Sequence, residues 1–149
     1  MRAILALALS SLVAASSGVA QAPAVNWGPA PAVFPAGAKL AVLAGDPFQT
    51  GEYTVRLDMP DGYTIAAHWH PTDENITVIE GTFLVGMGDK ADFTKPVTLA
   101  QGGFITAPAK ENHFARAKGH TVVQVHGMGP FALTYVNPAD DPQKKMARP

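Results

Sequence analysis

His68 and His70 stand two residues apart, and Asp73 and Glu74 follow close behind them. In an extended segment an i, i+2 pair points both side chains to the same face, with Trp69 turned the other way. Pro71-Thr72-Asp73 reads as a turn. A carboxylate just beyond it begins the antiparallel return and can swing back towards the imidazoles. Two imidazoles and a carboxylate from one hairpin are a donor set for a metal ion, whereas a lone histidine is more often structural. Either Asp73 or Glu74 can supply the carboxylate on these grounds. Further along, Gln124 and His126 alternate on one face of a late strand. If that face is the inner one, they can orient a substrate or a bound water. His126 or Gln124 acting through that water is then the candidate general base. If it is the outer one, they are solvated surface residues.

Short strands must carry these residues. Alternating apolar and polar residues at 53–59 predict a half-buried strand, bounded by Gly45-Asp46-Pro47 before it and Pro60-Asp61-Gly62 after it. Further strands are expected at 39–43, 63–70, 76–86, 103–108, 114–117, 121–126 and 131–136. Turns recur about every 8–12 residues and no segment has a 3.6-residue period, which suggests a sandwich or barrel. Tyr53, Val55 and Leu57 are expected to fill its interior. Tyr63 and Phe114 are assigned to the core rather than to the mouth.

The 149 residues suffice for one domain, and the abundance of Gly (14) and Pro (13) favours strands joined by tight turns over a helical bundle. Met1-Arg2, an apolar run from Ala3 to Ala15 and small residues up to Ala22 have the form of a secretory signal. The expected organisation is a signal peptide at 1–20, an Ala/Pro-rich arm at 21–37, a barrel at 38–137 and a C-terminal tail at 138–149. Cleavage fits after Ala20 or Ala22, with Ala20 preferred because the alternative leaves Pro23 at the new terminus. The expected location is periplasmic or secreted, with no membrane association after cleavage. With no cysteine, the chain has neither disulfides nor thiolate ligands. Without Arg2, 10 Lys and Arg face 12 acidic residues, and only Lys144-Lys145 cluster, so no nucleic-acid footprint is present.

The spacing also resembles a known family. Gly62-x5-His68-x-His70-x3-Glu74-x6-Gly81 matches the first cupin motif at every fixed position. The second follows as Gly102-x5-Pro108-x-Lys110-x2-His113, with Lys110 in place of a glycine and Ala117 in place of an asparagine. The resemblance covers roughly residues 40–136. It implies an all-β, cupin-type jelly-roll barrel in which His68, His70, Glu74 and His113 converge, and its spacing selects Glu74 over Asp73. Three imidazoles and a carboxylate suit one divalent transition metal ion (Fe, Mn, Zn, Ni or Cu) rather than Ca or Mg. The implied activity is metal-dependent chemistry on a small organic molecule, with a dioxygenase first and an isomerase next. The alternatives are a non-catalytic module binding a small ligand or a metal, and a structural protein whose metal only staples the barrel. Cupins often pair, so a homodimer is expected, with the arm at 21–37 reaching across to a partner or folding back on its own barrel.

Overall fold

The computed structural model describes residues 24–146, so the expected signal segment, its cleavage site and the last residues of the tail lie outside the described residues. In chain order the strands are β1 (Gly28–Pro29), β2 (Lys39–Ala44), β3 (Gly51–Met59), β4 (Thr64–Trp69), β5 (Glu74–Met87), β6 (Val97–Ala100), β7 (Phe104–Ala107), β8 (His113–Gly129) and β9 (Thr134–Tyr135). A 3-10 turn (Pro138–Asp140) and one short helix, α1 (Pro142–Met146), follow. Among the described residues no helix is long and apolar enough to cross a membrane.

The alternation along β3 does what its sequence demands: Tyr53, Val55, Leu57 and Met59 are buried, while Thr54, Arg56 and Asp58 face outward. All pairings are antiparallel, and β8 is the hub. Its second half lies between β3 and the first half of β5, whose outer side carries β7. Its first half lies between β4 and the second half of β5, whose outer side carries β6. The two long strands therefore pass from one layer into the other. The result is a β1-β2-β3-β8-β5-β7 layer over a β9-β4-β8-β5-β6 layer, which is a jelly-roll barrel around an apolar core.

The passage between layers is made at Gly81. The β5–β8 register shifts on both sides of Glu80, and Gly81 holds φ +79°. A Cβ there would lie 2.2 Å from the His120 carbonyl oxygen, so only glycine fits. Opposite it, the fully buried Thr121 hydroxyl lies 3.0 Å from the Thr82 carbonyl and 3.1 Å from that of Gly119.

Several expectations need correction. The strand expected at 131–136 spans only Thr134–Tyr135. The strands expected at 114–117 and 121–126 are one strand of 17 residues. Gly119 bends it at φ +74° without breaking it, because its N–H donates to Asp61 Oδ1 (2.7 Å) instead of forcing a turn. β6 was not expected: it is four residues long and mostly exposed, so it shows no one-faced pattern.

The described part of the arm folds back onto its own barrel. β1 pairs with β2, and Phe34 stacks on Phe131 with ring centroids 5.8 Å apart. The hydroxyl of Tyr63 donates to the Pro35 carbonyl, and that of Tyr135 donates to the Val33 carbonyl at 2.8 Å. Burial raises both phenols, Tyr135 to about 12 with Asp141 and Asp140 adding to the shift. Each phenol holds its proton more tightly when folded. The stability it lends is therefore complete below the ordinary value of 10 and is lost as pH rises through about 12 for Tyr135. We expect a Tyr63→Phe/Tyr135→Phe variant to lose roughly 1 kcal/mol per hydrogen bond at neutral pH. Urea unfolding followed across alkaline pH should then fall less steeply for the variant than for the wild type.

Candidate metal centre

Strict alternation along β4 would defeat the site. With Ile65 facing the interior, Ala67 and Trp69 would follow it inward and His68 would point out. The register prevents this: Ile65 pairs with Ala115 and His68 with His113, three steps along β4 against two along β8. This bulge at Ala66 and Ala67 reverses the parity and turns His68 into the barrel. It also exposes the Ala66 carbonyl, which accepts a hydrogen bond from His68 Nδ1 at 2.7 Å. His70 lies just past the end of β4, and its Nδ1 donates to the Ala132 carbonyl (2.8 Å). His113 opens β8, and its Nδ1 donates to the Glu111 carbonyl (3.1 Å).

A carbonyl can only accept, so each neutral ring carries its proton on Nδ1 and its lone pair on Nε2. The three imidazoles are buried, and their ligating atoms all lie within 4.8 Å of one another. Glu74, the first residue of β5, brings Oε2 to 3.2 Å from His70 Nε2 and 3.9 Å from His113 Nε2. Even at 3.2 Å the geometry is not that of a hydrogen bond, and His70 Nε2 is buried without a partner. An orphaned buried nitrogen costs free energy. A cation among the four donors would satisfy it, so the residues present fit a divalent transition metal.

Charge separates the four groups. Burial lowers His68 to about 3, with His113 and His70 adding to the effect, and burial likewise lowers His113. Burial alone would also lower His70, but the carboxylate of Glu74 outweighs it and holds His70 up. For Glu74 burial acts upward, and the imidazoles outweigh it, so its carboxyl stays below the usual range. His68 and His113 are thus neutral donors, and Glu74 stays ionised.

Asp73 is not at the centre. It is exposed, and its Oδ1 accepts from the Ala109 N–H (2.7 Å) while the His70 carbonyl accepts from the Lys110 N–H (2.8 Å). These two bonds join the turn carrying His70 and Glu74 to the loop before His113, and so bring the two motif segments together. That loop turns over Pro108–Glu111, closed by Glu111 N–H donating to the Pro108 carbonyl (3.2 Å), with Lys110 at φ +64°. The sequence position of a missing glycine therefore still has glycine's conformation. Gln124 and His126 are not at the centre either. Val123 and Val125 face the cavity, so the residues alternating with them face outward, and Gln124 Oε1 accepts from Arg56 Nε at 3.2 Å. No general base comes from that pair.

The cavity over the imidazoles is apolar, walled by residues such as Leu57, Ile76, Val85 and Val125, and by Phe34 of the arm. Phe131 covers His70, with ring centroids 5.3 Å apart. The cavity volume is about 50 Å³. One water needs roughly 10–15 Å³ of such space, which leaves room for only a few non-hydrogen atoms. Tyr53, expected as core filling, lines this cavity, and burial followed by the charge of Glu74 raises its phenol. Its place at the head of an inward-facing row was legible, but nothing in the sequence set its tip beside Glu74.

Comparison with known proteins agrees with the fold. The sequence model of the cupin domain matches residues 55–128. Among solved structures, the chain is similar to a proposed acetylacetone dioxygenase from Methylibium petroleiphilum: 26% identity, 79% of each chain covered, TM-score 0.61. It is also similar to the polyketide cyclase RemF from Streptomyces resistomycificus, with 17% identity, 75% of this chain and 80% of that one covered, and TM-score 0.58. An RmlC-like cupin from Shewanella frigidimarina matches at 17% identity, 70% and 83% coverage and TM-score 0.55. No curated protein matches the sequence significantly. The chain belongs to the cupin superfamily.

Lys110 yields a prediction. A left-handed conformation costs a residue with a side chain about 1–2 kcal/mol, and glycine's freer unfolded chain returns about 0.5–1 kcal/mol of that. Lys110→Gly should therefore stabilise the fold by up to about 1 kcal/mol. Thermal unfolding monitored by circular dichroism would read this as a Tm higher than that of the wild type.

Proposed function

We propose that the protein is an exported metal-dependent enzyme acting on a small organic molecule, with dioxygenation as its chemistry. The observation that carries the reading is the set of three buried imidazoles whose Nδ1 protons are all committed to backbone carbonyls, leaving every Nε2 lone pair facing one cavity. His68, His70 and His113, with Glu74 as the fourth donor, would hold one divalent transition metal. Bound there, the metal supplies Lewis acidity and, as iron or copper, access to O2. The likeness to the proposed acetylacetone dioxygenase supports this choice among cupin activities.

The chain's own residues supply the surroundings. Phe34 and Phe131 at the mouth and the aliphatic walls exclude water and fit an apolar body. The apolar wall fits a compact substrate such as an enolisable 1,3-dicarbonyl, one oxygen of which would lie at the metal. In a dioxygenation both atoms of O2 enter the substrate, which supplies the electrons, so no further reductant is required. Export rests on the N-terminal charge, apolar run and small residues, and sequencing the N-terminus of the mature protein tests it. The near absence of polar groups in the wall favours a second reading, a module that binds a small ligand without turning it over.

Elemental analysis of protein purified without chelator should find about one transition metal per chain, lost in a His68→Ala/His113→Ala variant. The iron-loaded wild type should take up O2 with acetylacetone or a related 1,3-diketone, and the variant should not. A wild type that binds none of Fe, Mn, Zn, Ni or Cu, even on reconstitution, would end the metal reading. A metal-loaded protein that binds diketones without consuming O2 would establish the binding module.

A further inference from the structure

Tyr53, Gly127 and Glu74 occupy one row across three strands. Tyr53 of β3 pairs with Gly127 of β8, and Gly127 pairs in turn with Glu74 of β5. Gly127 is not among the glycines with positive φ, so its backbone conformation does not call for glycine. Space does. A Cβ at Gly127 would lie 2.9 Å from the Asp73 carbonyl oxygen, 3.2 Å from the Tyr53 hydroxyl and 3.5 Å from Cζ of its ring. The phenol thus lies across the gap that Gly127 leaves, directed towards Glu74, and the edge-on ring of Phe131, 6.4 Å between centroids, packs against it.

Buried tyrosine hydroxyls ordinarily find a partner. In this barrel Tyr63 and Tyr135 do so on arm carbonyls. The Tyr53 hydroxyl forms no hydrogen bond among the described residues, although the residue is only 3% exposed. Nor is it sealed away: among the described residues the one side-chain polar atom that is both buried and unpartnered is His70 Nε2. Tyr53 is one of the residues that line the cavity. Among the described residues, apart from the three imidazoles and Glu74, Tyr53 is the only one lining that cavity with a polar side chain.

We propose that the Tyr53 hydroxyl is the substrate-recognition donor of this site, giving a hydrogen bond to an anionic or enolic oxygen of a ligand held at the metal. This rests on the metal-dependent reading above and adds the ligand chemistry: a small apolar molecule with one oxygen at the metal and another beside Tyr53. A wall otherwise made of hydrocarbon discriminates little between polar groups. A single unpartnered donor rejects analogues that lack the matching acceptor, because binding them leaves the hydroxyl desolvated and unpaired.

The test uses the full mature chain loaded with Co(II), titrated with acetylacetone and followed by the visible spectrum of the metal. Tyr53→Phe should keep one metal per chain and a Tm close to the wild type, because the lost hydroxyl holds no protein partner. Its acetylacetone affinity should fall about tenfold or more, as expected for a donor to a charged oxygen. A ketone with only one oxygen should bind wild type and variant alike. Equal acetylacetone affinity in the two proteins overturns the proposal while leaving the metal centre intact. Loss of metal or of folding in Tyr53→Phe also overturns it, by giving the hydroxyl a structural role. A wild type that takes up no Co(II) fails one step earlier, at the metal-dependent reading, and the proposal falls with it.

Discussion

Burying three imidazoles and a carboxylate inside a hydrocarbon barrel is unfavourable unless every polar atom is given something to do. The protein meets this on one side of each ring with the backbone. The carbonyls of Ala66, Ala132 and Glu111 each take an Nδ1 proton, and they come from a bulge, a loop and a turn rather than from regular ladder positions. Those irregularities exist where a carbonyl must be released from sheet pairing to serve an imidazole. The other side of each ring is left facing inward, where Glu74 Oε2 comes to 3.2 Å from His70 Nε2 without giving it a hydrogen-bond partner. Most of the local backbone geometry around the candidate centre follows from this single requirement.

The barrel's topology answers the same requirement at larger scale. His68 and His70 lie at the end of β4, Glu74 at the start of β5 and His113 at the start of β8, so the four groups come from the ends of three strands. Strand ends are where backbone groups leave the ladder and can turn to other partners. The corner at Gly81 lets β5 and β8 run on through both layers, so the strands that begin at the centre also close the barrel. Two hydrogen bonds, Asp73 to Ala109 and His70 to Lys110, then fix the motif segments against each other. Asp73 therefore matters beside the centre without belonging to it.

The sequence made much of this legible, and the omissions have physical causes. The i, i+2 spacing and the turn after it disclosed His68, His70 and a carboxylate because strand periodicity is a local property. It could not disclose that the face they share is reached only through a bulge, since the pair Ala66-Ala67 has no composition that marks one. Inward or outward orientation of Gln124 and His126 was equally open to alternation. It was decided by Val123 and Val125, which alternate with them and face a cavity walled by distant sequence. Gly119-His120 read as a turn because glycine at positive φ serves bends and turns alike. The glycine missing at Lys110 suggested a departure in the loop, yet tertiary hydrogen bonds impose the left-handed conformation on lysine.

The arm supplies part of the cavity wall. Phe34 stacks on Phe131 and, with Pro31, extends the apolar wall, while two tyrosine hydroxyls donate to the arm's carbonyls. The three inward-facing tyrosines thus divide by partner: Tyr63 and Tyr135 are committed to the arm, and Tyr53 has its hydroxyl free at the cavity. Sealing the wall with hydrocarbon lowers the local dielectric and strengthens whatever polar contact remains inside. In such surroundings one uncommitted phenol beside an ionised carboxylate has more influence on which oxygen-bearing ligand enters than the whole apolar surface around it.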